Sequence, residues 1–300
     1  MKWFELKEQS AGKKRLALTW FLYKLFGAWI LYVIAFFVAF FTFIFSAQLR
    51  QYSKKYLCTA EPYVKIRPSL FNQFRHILAY ANALADKILV FSGNFDEKNI
   101  EFDSGVEKED FLNDINSGKG TFLVCSHIGN IEALYSLFDK TIKNPDCAIN
   151  VFLSRKQSQI FNDFLNSIEV DTHTKLFPIE DIGFETGIEL KENLDKGDIV
   201  FIAGDRLSEN EKCDNSHTSI ETKMFDSKIR LPKGVFKLAK LMEVSTYFIS
   251  ALKYGDKYRV FVEKQNNLSE EELLKNYVGF IEKMTLNKPF QFFHFYDFFE

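Results

Sequence analysis

The run Leu25 to Ala47, LFGAWILYVIAFFVAFFTFIFSA, holds 23 residues without a charge. As one continuous helix it would extend roughly 35 Å, enough for the hydrocarbon core of a bilayer. A helix apolar all the way round needs cover on every side, from lipid or from a large protein core. The run is too long for a signal-peptide core, and SAQLRQYSKKY after it is a poor cleavage site. A buried helix of a soluble protein is the competing reading. Lys13, Lys14 and Arg15 precede the run, and Arg50, Lys54 and Lys55 follow it. Charge bias therefore does not set an orientation cleanly, although it suits contact with anionic head groups on at least one face. Lys24, Trp20, Tyr23 and Trp29 are placed to anchor at an interface. The expected organisation is a short basic segment over 1–15, a membrane helix over 16–50 and one domain over 51–300.

Three hundred residues leave ample chain for a buried core. The formal charge of −2 excludes a globally basic nucleic-acid binder. Cys58, Cys125, Cys147 and Cys213 form no C-x-x-C or C-x-x-H pair, so neither a zinc site nor a disulfide framework is expected. Cys125 ends an apolar run as a buried thiol, and a reducing compartment follows as the default. Residues 62–91 predict a helix, with Phe71, Phe74, Ile77, Leu78, Ala81, Leu84, Ala85 and Ile88 on one stripe and Pro68 in its first turn.

Beyond that helix the pattern alternates. Strand-like runs occupy 121–126, 147–154, 175–179, 199–204, 245–254 and 258–264. Helix-like stretches fall near 130–139, 156–168, 183–196 and 233–243, with a last helix at 269–284 opened by a Ser269–Glu272 capping box. The alternation predicts an α/β fold with a mixed, largely parallel sheet flanked by helices, joined to the N-terminal membrane-anchoring helix. The pair 245–264 turns at Gly255-Asp256 as a hairpin. Residues 205–229 are polar and pattern-poor, which reads as a mobile surface loop.

Sites in such sheets lie beyond the carboxyl ends of the strands, and three polar clusters fall there. The first is Ser126-His127 with Glu132. If a helix begins near Asn130, Glu132 in its first turn can fold back on the imidazole of His127. A carboxylate on one ring nitrogen fixes the tautomer and leaves the other nitrogen as a base. Gly129 permits a tight turn, and amides of Gly129 and Asn130 can face a developing oxyanion. The same spacing also fits a carboxylate that merely complements the helix dipole beside a solvent-facing histidine. Ser126 is disfavoured as a nucleophile because adjacent residues on an extended chain point to opposite sides. His76, His173, His217 and His294 read as surface or packing residues. The second cluster is Gly204-Asp205-Arg206, either a structural ion pair or an arginine holding a substrate phosphate or carboxylate, with Asp205 orienting it or a neighbour. The third, Arg230 to Gly234, puts Lys233 at a helix start, a natural anion site or a solvated lysine.

Taken in order, a strand followed by SHIGNIE, then FIAGDR, then RLPKGVFKLAK resembles the lysophospholipid acyltransferase superfamily. The nearest branch is the late acyltransferases of lipid A biosynthesis and their relatives. The family's His-x4-Asp/Glu motif would be His127 to Glu132, and its GDR would be Gly204-Asp205-Arg206. The N-terminal apolar helix and the aromatic ending PFQFFHFYDFF extend the likeness over nearly the whole chain. Arg155, in FLSRKQS, stands where the family's second-block arginine would fall. EVSTYFISAL lacks a proline common in the fourth block.

The resemblance implies an acyltransferase-like domain over 51–300 that moves a fatty acyl group from an acyl thioester to a hydroxyl or amine of a lipid acceptor. His127 would act as general base and Glu132 as its orienter, with Asp205, Arg206, Arg155 and Lys233 binding substrate. The implied donor is acyl carrier protein or acyl-coenzyme A, with no cofactor, no metal and no nucleic acid. The implied place is a bacterial inner membrane, with the catalytic domain facing the cytoplasm. Two other readings stand beside it: a non-catalytic, membrane-tethered lipid-binding scaffold, and an acyl thioesterase.

Overall fold

The computed structural model describes residues 13–91, 97–105, 108–153, 174–179, 182–207, 218–265 and 268–300. Arg155, the helix expected at 156–168, His173, Cys213 and His217 lie outside these.

The uncharged run is not one helix. It is divided between α1 (Lys13–Phe26), α2 (Trp29–Phe45) and the start of α3 (Ala47–Val64). Gly27, at φ +82°, takes the left-handed conformation that ends α1. Ser46 is extended, and its side chain accepts from the Leu49 amide at 3.3 Å, so a new helix is capped there. α2 and α3 meet at 94°, and no single described helix is long and apolar enough to cross a membrane. The single continuous helix expected over 16–50 is therefore corrected to three helices: sequence hydropathy counts residues, whereas the axis turns at a glycine and a serine. Trp29–Phe45 and Ala47–Val64 together still have the length and composition of a broken span or a re-entrant loop. The helix expected over 62–91 is corrected likewise. α3 ends at Lys65 in the left-handed region, and α4 (Leu70–Phe91) starts after Pro68 with Ser69 accepting from the Asn72 amide at 3.2 Å.

β1 (Ile100–Phe102), α5 (Lys108–Ile115), β2 (Thr121–Cys125), α6 (Glu132–Thr141), β3 (Ile149–Leu153) and β4 (Thr174–Pro178) come next. After them run α7 (Phe184–Asp195), β5 (Ile199–Ala203), β6 (Ser219–Met224), β7 (Ser227–Pro232), α8 (Lys233–Met242), β8 (Ser245–Tyr254), β9 (Lys257–Gln265) and α9 (Glu270–Asn287). Seven strands form one sheet in the order β1-β9-β8-β2-β5-β3-β4. All its pairings are parallel except β8 with β9, the expected hairpin. The capping box of α9 is present, with Ser269 and Glu272 reciprocally bonded.

Residues 219–232 form the two-stranded β6–β7 hairpin rather than a loop. Its turn uses Phe225 and Asp226, both at positive φ, without the glycine that marks such turns in a sequence.

Alternate side chains of each strand serve opposite faces. Phe122 and Val124 pack with α3, α7, α8 and α9, and Leu123 and Cys125 with α2, α4, α5 and α6. The C-terminal tail belongs to both layers. Phe292, Phe298 and Phe299 join the first, while Phe293 and Phe295 join the second. Phe292 stacks on Tyr56 of α3 at 4.4 Å. On α4, the buried His76 accepts at Nδ1 from the Ser53 hydroxyl (3.0 Å) and donates from Nε2 to the Phe292 carbonyl (2.6 Å). That carbonyl can only accept, so the neutral ring carries its proton on Nε2.

α2 packs its Leu31, Ala35 and Ala39 inward and leaves Trp29, Phe37, Phe41 and Phe45 exposed, Phe45 at 81%. On α4, Leu70 and Phe71 are also exposed. An apolar surface of this extent marks an interaction face.

Burial holds the His76 pKa down at about 4, against 6.5 for an ordinary histidine. The unfolded chain therefore binds a proton that the native ring refuses. Stability is retained above pH 6.5 and is lost as pH falls from there toward 4. The difference corresponds to roughly 3 kcal/mol. In urea titrations at pH 7 and pH 4.5, His76→Gln is expected to flatten this acid loss; an unchanged slope would exclude His76 as its source.

Candidate active site

β2 and β5 are neighbours in the centre of the sheet, with Cys125 opposite Ala203. The chain leaves both strands at the same edge, so Ser126-His127 and Gly204-Asp205-Arg206 emerge side by side. Gly204 donates its amide to the Cys125 carbonyl at 3.0 Å, and Tyr277 of α9 donates to the same carbonyl at 2.7 Å. A Cβ at Gly204 would lie 2.9 Å from Val124 Cγ1 and 3.0 Å from the Tyr277 ring, so a side chain there would have to displace both.

Asp205 is 1% exposed and is the hub of the site. Its Oδ1 accepts from His127 Nδ1 at 2.8 Å, and its Oδ2 accepts from the His127 backbone amide at 2.5 Å. His294, from the C-terminal tail, brings Nε2 to 2.9 Å of Oδ2. Burial alone would raise the Asp205 pKa; the charge and hydrogen bonds of His127 and His294 outweigh it and hold the carboxyl well below its usual range. A carboxylate cannot donate, so Nδ1 of His127 carries the proton and the basic lone pair of the neutral ring is on Nε2. The His127 side chain keeps 27% of its surface in solvent. His294 is 2% exposed, and burial depresses its pKa to about 4.

The tail clamps the turn after β2. Phe293 donates its amide to the His127 carbonyl at 3.0 Å, and Gly129 donates to the Gln291 carbonyl at 2.9 Å. Asn130 donates its amide to the Ala251 carbonyl of β8 at 2.8 Å. The amides of Gly129 and Asn130 are thus already spent, which corrects their expected oxyanion role: each carries a single hydrogen, and each is used by the fold. What these two residues supply is the turn itself. Gly129 has φ +81°, and a Cβ there would sit 2.2 Å from the Ala251 carbonyl oxygen. The Asn130 side chain donates to the Tyr258 hydroxyl at 3.0 Å.

Behind Tyr258 lies a second buried carboxylate that links the turn to the apolar helices. Asp86 of α4 accepts from Tyr258, from Tyr32 of α2 at 2.5 Å and from Lys253 of β8 at 2.6 Å. Four elements therefore share one buried charge next to the His127 turn.

Glu132 is the first residue of α6. Its side chain is outside the described part of the structure, and the orienter that the structure gives to His127 Nδ1 is Asp205. The simple Asp205–Arg206 ion pair is not what forms. Asp205 turns to the histidines, while Arg206 Nη2 donates to the Phe293 carbonyl at 3.1 Å and its guanidinium lies 5.8 Å from the Tyr296 ring centre. Lys233 opens α8 with an exposed side chain, and its amide is spent on the Thr218 carbonyl at 2.9 Å. Among the described residues, no hydrogen bond or ion pair joins it to the His127 cluster. Arg155 lies outside the described residues. Ser126 is 1% exposed, too buried for a nucleophile that must meet substrate.

Sequence reasoning missed His294. The available signal was a histidine inside an aromatic run, FFHFYDFF, where a polar ring can be buried only against a partner. His127, Asp205 and His294 also place one ligand atom each within 4.8 Å of one another, a donor set that a divalent cation can use. The 2.8 Å contact from His127 is a hydrogen bond, whereas His294 lies within ion-pair distance of Asp205 but neither of its buried ring nitrogens makes an aligned hydrogen bond.

Gly129→Ala is expected to destabilise the fold by roughly 3 kcal/mol, since it adds left-handed strain to a backbone clash. Gly234→Ala, in an open helical position, is expected to be neutral or slightly stabilising. Chemical unfolding of the two variants checks the contrast; equal stabilities would mean that the turn relaxes freely. No protein-family model matches this chain, and no curated protein matches it.

Proposed function

We propose that this chain is a membrane-associated acyltransferase that moves a fatty acyl group from an acyl thioester to a hydroxyl or amine of a lipid acceptor. The observation that carries the reading is the buried Asp205 holding Nδ1 of the part-exposed His127 at the carboxyl ends of the central strands. That arrangement makes a directed base out of Nε2.

In the proposed step, Nε2 takes the proton from the acceptor as its oxygen or nitrogen attacks the thioester carbonyl. The tetrahedral intermediate then collapses with cleavage of the C–S bond. The leaving thiolate takes the proton back from the imidazolium, so the base is restored and no acyl-enzyme forms. Asp205 stays ionised throughout and stabilises the imidazolium. Arg206 provides positive charge beside the site for the oxyanion or for an anionic substrate group. Glu132 remains a candidate second carboxylate in this reading, and Arg155 and Lys233 remain candidate substrate contacts. The donor is acyl carrier protein or acyl-coenzyme A. The exposed aromatic face of α2 rests on the bilayer, the inner membrane with the domain on its cytoplasmic side, and lies in that surface rather than across it.

The test is transfer from a radiolabelled acyl thioester to a lipid extract, resolved by mass spectrometry. His127→Ala and Asp205→Asn are expected to lower transfer by about 10³-fold or more while leaving membrane association intact. Dialysis against a chelator is expected to leave the wild type active. Full transfer in His127→Ala would sink the proposal, label found only as free fatty acid would indicate a thioesterase, and lipid binding without turnover would indicate a scaffold.

A further inference from the structure

A cleft of about 290 Å³ opens between α4, Lys253 of β8 and the segment 288–291. Its lining includes the cations Arg75, Lys253 and Lys288 and no acidic residue. Lys253 is neutralised by Asp86 at 2.6 Å. The other two are not neutralised: among the described residues neither pairs with a carboxylate. Arg75 lies 4.3 Å over the Phe290 ring and 5.8 Å from Phe71, and its one polar side-chain contact is Asn72 at 3.5 Å. Lys288 sits 3.7 Å over the Tyr254 ring. Burial, and then the nearby Arg259 charge, push the Lys288 pKa below its usual value, the response of a cation that lacks a counter-charge.

The cleft is rigid. The Gln291 side chain bonds both the amide and the carbonyl of Lys253 at 2.9 Å, and α4 is continuous through Arg75, Leu78 and Asn82. Apolar side chains lead from Arg75 toward α2. Phe71 is 68% exposed, and Phe74, one turn on, packs against Phe36 and Phe43 of α2 at 5.9 and 5.6 Å. Positive charge inside and apolar side chains beside it match the two halves of an anionic amphiphile.

We propose that this cleft binds the phosphate head group of a membrane amphiphile, with Arg75 and Lys288 as its counter-charges and the acyl chain leaving over Phe71 onto the α2 face. The site is separate from the His127 cluster and connects to its turn through Gln291, whose carbonyl holds the Gly129 amide, and through Lys253, whose partner Asp86 also binds Tyr258 and so the Asn130 side chain. Its test reads binding and not turnover, so it can succeed or fail whatever becomes of the acyltransferase proposal.

The full chain would be sedimented with phosphatidylcholine vesicles, alone or doped with phosphatidic acid. The wild type is expected to gain about tenfold or more in affinity from the doping, as two added cation–lipid contacts would give. Arg75→Gln with Lys288→Gln should abolish the gain and keep the binding to neutral vesicles. Arg75→Lys with Lys288→Arg should retain it, as should Lys237→Gln with Lys240→Gln, an equal charge loss on exposed positions of α8. A gain that survives in Arg75→Gln with Lys288→Gln, or that falls equally in the α8 pair, overturns the site in favour of diffuse attraction. Calorimetric titration with inorganic phosphate separates the sources. Binding of free phosphate to the wild type without any vesicle gain overturns the lipid assignment.

Discussion

A buried carboxylate must be paired, because an isolated charge in a protein interior is among the most expensive groups to desolvate. Asp205 is such a charge, and the geometry around it follows from that need. Its two oxygens draw in the amide and ring of His127 from β2 and the ring of His294 from the far end of the sequence. The tail thereby becomes part of the site, and Phe292 and Phe298 pack around His294 at 4.3 and 4.4 Å to exclude water from it. Closing the site and closing the core are one event in this fold.

The regular elements around the sheet were legible because the strands are short, apolar and bounded. β2, β3, β4, β5, β8 and β9 fall where the apolar runs place them, as do α7, α8 and the capped α9. The breaks were not legible. Gly27 and Ser46 sit inside an uncharged run that reads as continuous, and only backbone dihedrals reveal the turns. The β6–β7 hairpin was missed because its turn places Phe225 beside Asp226 in the left-handed region, and a bulky aromatic residue does not advertise that conformation. Buried Phe225 is held by its place in the core and by the Glu282 carboxylate on its amide at 2.7 Å, so tertiary packing outweighs turn propensity.

Of the site, His127 and Asp205 were both legible as strand-end residues, but their partnership was not. Spacing along the chain favours a local partner for His127, the acidic residue five positions away. Sheet order decides otherwise, since β2 and β5 become neighbours through crossovers that the sequence does not reveal. Asp86, Lys253 and Tyr258 escaped notice for the same reason. Their separations of 167 and 172 positions from Asp86 are visible only after folding.

The spent amides of Gly129 and Asn130 constrain any chemistry at His127. A turn whose His127, Gly129 and Asn130 N–H groups are all committed is stiffened, which suits a base that must hold one orientation. The same commitment means that negative charge developing on a substrate finds no support from those two amides. In the proposed reaction the support falls to Arg206, whose guanidinium is held by the Phe293 carbonyl of the tail and lies beside Tyr296, which itself approaches the Asp205 carbonyl at 3.4 Å. Base and electrophilic partner are then both fixed by the C-terminal segment, His127 through its carbonyl and Arg206 through its donor. A loosened tail would therefore misplace both groups together, and its loss would lower turnover more than substrate affinity.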